Sequence, residues 1–156
     1  MLPDMNYITN MLIQDEGLKL QAYHDTNNIL TIGVGHNLQA NPALDILHTK
    51  LKLGDSISHS QATQLLQQDI NNTLTQLQSH LSNFSSLPNK YQLVLINMCF
   101  NLGLTGLLKW QHMLTAMNQN NDQLVIDSIK NSHWILQVPN RANRMIALIN
   151  NKNPYS

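Results

Sequence analysis

The sequence predicts an α+β fold, mostly helical. A small N-terminal β-hairpin lobe is joined by a long helix to a C-terminal helical lobe, with a ligand cleft between the two. Three observations predict it. Residues 20–38, LQAYHDTNNILTIGVGHNL, alternate loosely between apolar and polar side chains and are bounded by glycine. Residues 59–82 form one amphipathic stretch with apolar side chains three and four apart. Everything after Pro88 carries helical periodicity. The 156 residues suit a single domain, with a β-rich lobe over about 14–58, a bridging helix over about 59–82, and a helical lobe from about 1–13 and 83–156.

Taken in order, Met5, Ile8, Met11 and Leu12 recur at helical spacing and predict a helix over 3–15 that Gly17 ends. The hairpin reverses at Asn27-Asn28, with room for a third short strand. Pro42 opens a short helix over 42–52, which Gly54 closes. Ser58 and Gln61 match the capping box, in which each side chain satisfies the other's orphan backbone amide. Ala62, Leu66, Ile70, Leu74, Leu77 and Leu81 continue from it, and about 24 residues at 1.5 Å each reach ~36 Å. Further helices follow at about 89–102, 105–118, 121–131 and 139–150, the last beginning at Pro139.

Nine basic and nine acidic residues cancel. A nucleic-acid binder would show a basic stripe, and an acidic polymer is not attracted over long range by a neutral chain. Asn and Gln, 35 of 156, take the place of surface charge. No apolar run reaches the roughly 20 residues needed to span a bilayer, and MLPDMNYITNMLIQDEG lacks the features of a secretory signal. The single cysteine, Cys99, sits in the apolar run LVLINMCF and reads as a buried, inert thiol. Seven histidines occur without HxxxH or HExxH spacing, so no metal is expected, and His48, His59, His80 and His112 read as solvated. Gly33-Val34-Gly35 lacks the third glycine and βαβ context of a dinucleotide loop.

Of nine acidic residues only Glu16 is a glutamate, and Gly17 follows it directly. Asp25 lies nine residues on, beyond a chain reversal, and Thr31 six further. Two carboxylates on different elements can face a common cleft, whereas nine residues along one helix would put them on opposite sides. A helix C-terminus carries partial negative charge, which suits a carboxyl that must hold a proton. One protonated and one ionised carboxyl are what glycoside hydrolysis needs. The ordinary alternative is a solvated glutamate at a helix end, and pattern alone leaves both open.

The array Glu-x8-Asp-x5-Thr in DEGLKLQAYHDTNNILTIGVGH resembles the phage-type lysozymes, glycoside hydrolase family 24. The bridging helix ending in QQDINN, the segment NMCFNLGLTGLLKW and the C-terminal W-x4-PNRANRM resemble family segments in the same order. That resemblance implies a peptidoglycan muramidase cleaving the β-1,4 bond between N-acetylmuramic acid and N-acetylglucosamine with inversion. It makes Glu16 the general acid, Asp25 the second carboxylate and Thr31 the hydroxyl that helps hold the attacking water. Arg141 reaches and positions the acid in that picture, Gly35 and Phe100 support the site, and His36 and Asp69 form a buried ion pair joining the lobes. Trp134 belongs to the helical core. Departures are the neutral charge, Asn27 and Asn37 near the hairpin, and Met113 and Ser128 on the helical-lobe wall of the cleft.

The resemblance further implies no cofactor, peptidoglycan glycan strands as the partner, no stable membrane association and a monomer. A chain without a signal would be made in the host cytoplasm and need a holin to reach the wall during lysis. Three other readings compete, one of them a lysozyme domain working in a larger phage tail. A lytic transglycosylase needs one essential glutamate and no water-holding pair, and an inactive peptidoglycan-binding module has no reason to keep Glu16, Asp25 and Thr31 together.

Overall fold

The computed structural model describes residues 1–155, and the chain divides into two compact units. One is Thr9–Asn72; the other is Met1–Ile8 with the chain from Thr73 onward. Both boundaries fall inside helices, α1 (Met5–Glu16) and α3 (His59–His80). The long helix is therefore shared by the units, where the sequence suggested a separate bridge.

In the unit Thr9–Asn72, α1 ends where Gly17 adopts φ +77 and its N–H bonds the Ile13 carbonyl at 2.8 Å. This left-handed helix end turns the chain into a three-stranded antiparallel sheet: β1 (Lys19–His24), β2 (Leu30–Gly33) and β3 (His36–Asn37) in the order β1-β2-β3. Tyr23 pairs with Thr31, Thr31 with Asn37, and Ile32 with His36. A bulge between Lys19 and Tyr23 shifts the first register. The predicted helix over 42–52 shrinks to α2 (Leu44–Leu47), because His48 goes left-handed at φ 62 and ends it six residues before Gly54. Ile32, Leu38, Leu47, Leu51, Ile57 and Leu65 bury the sheet against α2 and the start of α3.

The capping box is present in both directions. The Ser58 N–H donates to Gln61 Oε1 at 2.9 Å, and the Gln61 N–H donates to Ser58 Oγ at 3.1 Å. From there α3 runs 22 residues, about 33 Å.

In the other unit, a 3-10 turn (Phe84–Ser86) precedes α4 (Asn89–Leu108), α5 (Gln111–Asn118), α6 (Asp122–Lys130), α7 (His133–Gln137) and α8 (Pro139–Ile149). Gly103 breaks α4 with φ 75 and ψ 163, at the boundary the sequence suggested; the following segment then ends at Leu108 instead of running on. The 3-10 turn and α7 were not foreseen, being too short to show a period. Asn121 and Ser132 cap α6 and α7 by accepting the Leu124 and Ile135 amides. α8 packs on α4, α6 and α7. By length and composition α4 could cross a membrane, contrary to the expectation that no segment could. Its Val94, Leu95, Ile96 and Met98 are instead buried in the protein.

One polar pair is prominent in the sheet-bearing unit. His36 on β3, 4% exposed, places Nδ1 2.7 Å from Asp69 Oδ2 on α3 and Nε2 2.8 Å from the Asn41 carbonyl. The sequence suggested a pair joining two lobes; both residues lie within Thr9–Asn72 and tie β3 to α3. Both ring nitrogens face acceptors, which only the doubly protonated imidazolium satisfies. Burial alone would push His36 down. The hydrogen bond and charge of Asp69, with the Asn41 carbonyl, outweigh it and hold the ring above the ordinary histidine value.

A raised folded value gives stability that is complete below the unfolded histidine value and is lost as pH rises through the folded one. His36→Asn should therefore cost about 3 kcal/mol near pH 5 and measurably less well above neutrality, as read by urea unfolding at both. A pH-independent loss would contradict the charged pair.

Candidate active site

Glu16 is the last residue of α1 and is half-buried. Gly35, between β2 and β3, comes close to it. A Cβ placed on Gly35 would lie 3.0 Å from Glu16 Oε2, 3.2 Å from Cδ and 3.4 Å from Cγ. Gly35 also has φ +65, a backbone state that residues with a side chain rarely adopt. Glycine is thus required twice at this position, once for the turn and once to let the glutamate lie against the backbone.

Asp25 sits just past β1 and organises the hairpin turn. Its Oδ1 accepts the Asn27 amide at 2.8 Å and the Ile29 amide at 2.9 Å, while its backbone pairs with Ile29 and Asn28. Asn28 takes φ 61, which asparagine tolerates. Oδ2 takes no part in the turn. Thr31, on β2 and 4% exposed, donates from Oγ1 to the Ile29 carbonyl at 2.8 Å, leaving its lone pairs as acceptors. The turn that fixes Asp25 also fixes Thr31, since both bond to Ile29. Asn27 contributes its backbone to the same turn.

Sequence reasoning passed over Tyr23. It is half-buried, opposite Thr31 in the sheet, with the Lys19 ammonium 4.1 Å from its ring centroid. Burial first, then the charges of Glu16 and Asp25, push its phenol above the ordinary tyrosine value. The signal available beforehand was its place two residues before Asp25 on a strand, which puts alternate side chains on one face.

Arg141 and Phe100 belong to the other unit. Arg141, on α8 and 5% exposed, donates from Nε to Asn97 Oδ1 at 2.6 Å and from a terminal nitrogen to the Asn97 carbonyl at 3.3 Å. Asn97 was also missed, although one asparagine inside the apolar run LVLINMCF was a visible anomaly. Phe100 lies one helical turn further along α4 and is half-buried. Trp134, 3% exposed, donates its indole N–H to Asn101 at 2.7 Å and packs edge-on to Trp110. A cavity of about 520 Å³ in this unit is lined by Trp110, Trp134 and the two residues singled out as departures, Met113 and Ser128.

Cys99 is buried, and burial pushes its thiol up to about 11, where it is neutral and unreactive near pH 7. His48, His59, His80 and His112 are exposed. No group of three or more His, Cys, Asp or Glu side chains among the described residues could hold a metal ion.

Two carboxylates and a buried hydroxyl on one hairpin and its preceding helix are the kinds of group that acid–base glycosidases use. Comparison with known proteins names the family. The phage lysozyme profile matches residues 13–150. Two relatives in Dictyostelium discoideum, probable T4-type lysozymes 1 and 2, are 31% and 30% identical, covering 91% and 90% of this chain and 92% of theirs. The pre-baseplate central spike protein Gp5 of Enterobacteria phage T4 is 31% identical over 98% of this chain, which spans only 29% of that protein. The chain belongs to the phage lysozyme family and is a lysozyme, a glycosidase of the muramidase type acting on the peptidoglycan of the cell wall.

Gly35→Ala should displace the Glu16 carboxyl and strain the turn. We expect at least a 10-fold fall in wall-lytic rate, about 1.4 kcal/mol in barrier, with the protein still folded by circular dichroism. A fully active Gly35→Ala would show that this close approach does not matter to the reaction.

Proposed function

We propose that the chain cleaves the β-1,4 bond between N-acetylmuramic acid and N-acetylglucosamine by single-step, inverting hydrolysis. Glu16 is the general acid and gives its proton to the departing glycosidic oxygen. Asp25, through Oδ2, takes a proton from a water that attacks the anomeric carbon from the opposite face, and Thr31 Oγ1 accepts the water's other hydrogen bond. The observation that carries this reading is the shared anchoring of Asp25 and Thr31 on Ile29, which sets a carboxylate and a hydroxyl acceptor in one rigid turn. Inversion requires room for a water between acid and base, roughly 6.5–9.5 Å between carboxyls.

Arg141 and Phe100 take supporting roles, as the family resemblance implies. The firm hold of Asn97 on Arg141 suits a positioning cation, because a guanidinium fixed by its own partner presents its remaining donors in a set direction. Met113 and Ser128, lining the cavity of the helical unit, bear on which stem peptides are accepted. Glutamate is needed at position 16 because aspartate, one methylene shorter, falls outside the 2.6–3.2 Å reach of a general acid.

The enzyme acts as a monomer in bacterial lysis, is made in the host cytoplasm and reaches the wall through a holin.

The test is digestion of purified peptidoglycan with fragments identified by mass. Wild type should release reducing muramic acid ends, with Glu16→Gln and Glu16→Asp each lowering the rate by about 100-fold or more. Near-normal digestion by either variant removes Glu16 from the mechanism, and 1,6-anhydro ends from wild type would identify a transglycosylase.

A further inference from the structure

During inverting hydrolysis the negative charge of the site moves. Before the step Asp25 is ionised and Glu16 holds a proton; afterwards Glu16 is the carboxylate, having protonated the leaving oxygen as the C–O bond breaks, and Asp25 holds the proton from water. The total charge is constant while its location changes. A neutral donor exposed to both carboxyls can stabilise the transition state by following that charge, at no cost of reorganising solvent.

Tyr23 meets the requirements of such a donor. It stands opposite Thr31 in the sheet, and directly opposed side chains share a face. It lies two residues from Asp25 on the same strand end, and it is half-buried. Burial first, then the charges of Glu16 and Asp25, keep its hydroxyl protonated throughout the range in which the carboxyls work. The Lys19 ammonium lies 4.1 Å from its ring centroid, a cation–π contact on the ring face. Lys19 is the only lysine or arginine in the first 49 residues, against five acidic ones, and the fold sets it on this ring.

We propose that Tyr23 is a positioning residue for the hydrolysis, its hydroxyl donating to whichever of Glu16 and Asp25 is ionised while Lys19 pins the ring. This rests on the roles given to Glu16 and Asp25 above. Phenylalanine keeps the ring and the lysine contact and removes only the donor. Because the hydroxyl acts on the two carboxyls between which the charge moves and not on the substrate, its loss falls on kcat and spares KM.

The experiment is steady-state kinetics on soluble, uncross-linked peptidoglycan strands with wild type, Tyr23→Phe, Lys19→Met and Glu16→Gln, each confirmed folded by thermal melting. Tyr23→Phe should lower kcat about 10-fold with KM within about two-fold. Lys19→Met, which spares the hydroxyl and frees the ring, should lower kcat about two- to three-fold and gives an independent readout should the first variant not fold. Unchanged kcat in Tyr23→Phe with an inactive Glu16→Gln overturns the role of Tyr23 and leaves the hydrolase reading standing. A rise in KM alone would make Tyr23 a ground-state binding residue and overturn it equally. Full activity in Glu16→Gln would remove the reading on which the proposal rests, whatever Tyr23→Phe does.

Discussion

The structure of the site depends on the close approach of Glu16 to the backbone at Gly35. α1 must end at once after the glutamate, which Gly17 achieves by turning left-handed. The chain must then come back past that side chain with no Cβ in the way, which Gly35 achieves at the far end of the hairpin. A carboxyl held against backbone on one side and half-buried has few rotamers left. Limiting the directions open to a side chain before a ligand arrives is a form of preorganisation. The other parts of the hairpin follow from the same path: the turn between the two glycines carries Asp25, and the second strand carries Thr31.

The two compact units hold different kinds of polar order. In Thr9–Asn72, His36 is bonded at both ring nitrogens, so β3 is locked to α3 by a charged pair whose two acceptors leave no neutral tautomer comfortable. In the helical unit, Arg141 is held by Asn97 and Trp134 by Asn101, both on α4. Lys90 and Tyr91 of the same helix both bond Asp122 at the start of α6. Charge is also divided unequally. Thr9–Asn72 has six acidic and three basic residues, and the remainder has three acidic and six basic. The neutrality of the whole chain therefore conceals an acidic unit bearing the carboxylates and a basic one able to attract an anionic polymer.

What could be read beforehand was whatever is encoded locally. The capping box at Ser58 and Gln61 and the three- and four-residue apolar spacing along the 22 residues of α3 depend only on neighbours along the helix. The hairpin turn at Asn27-Asn28 depends on one residue's tolerance of positive φ. The helix over 42–52 was overestimated because nothing in its pattern announces that His48 turns left-handed. Tyr23 and Asn97 escaped for a different reason. Their partners lie across a strand register or 44 positions away, and a single sequence contains no record of either. Gly35 was placed at the site by family resemblance; its physical reason, contact with Glu16, is visible only in three dimensions.

The central claim is that a water held by Asp25 and Thr31, and no protein nucleophile, attacks the sugar. Proton NMR of the reducing end released from soluble peptidoglycan strands, recorded before mutarotation, tests it directly. Attack opposite the leaving group on a β-linked sugar must give the α-anomer first. A β-anomer appearing first would mean two displacements through a covalent intermediate, and would contradict the role assigned to Asp25 and Thr31.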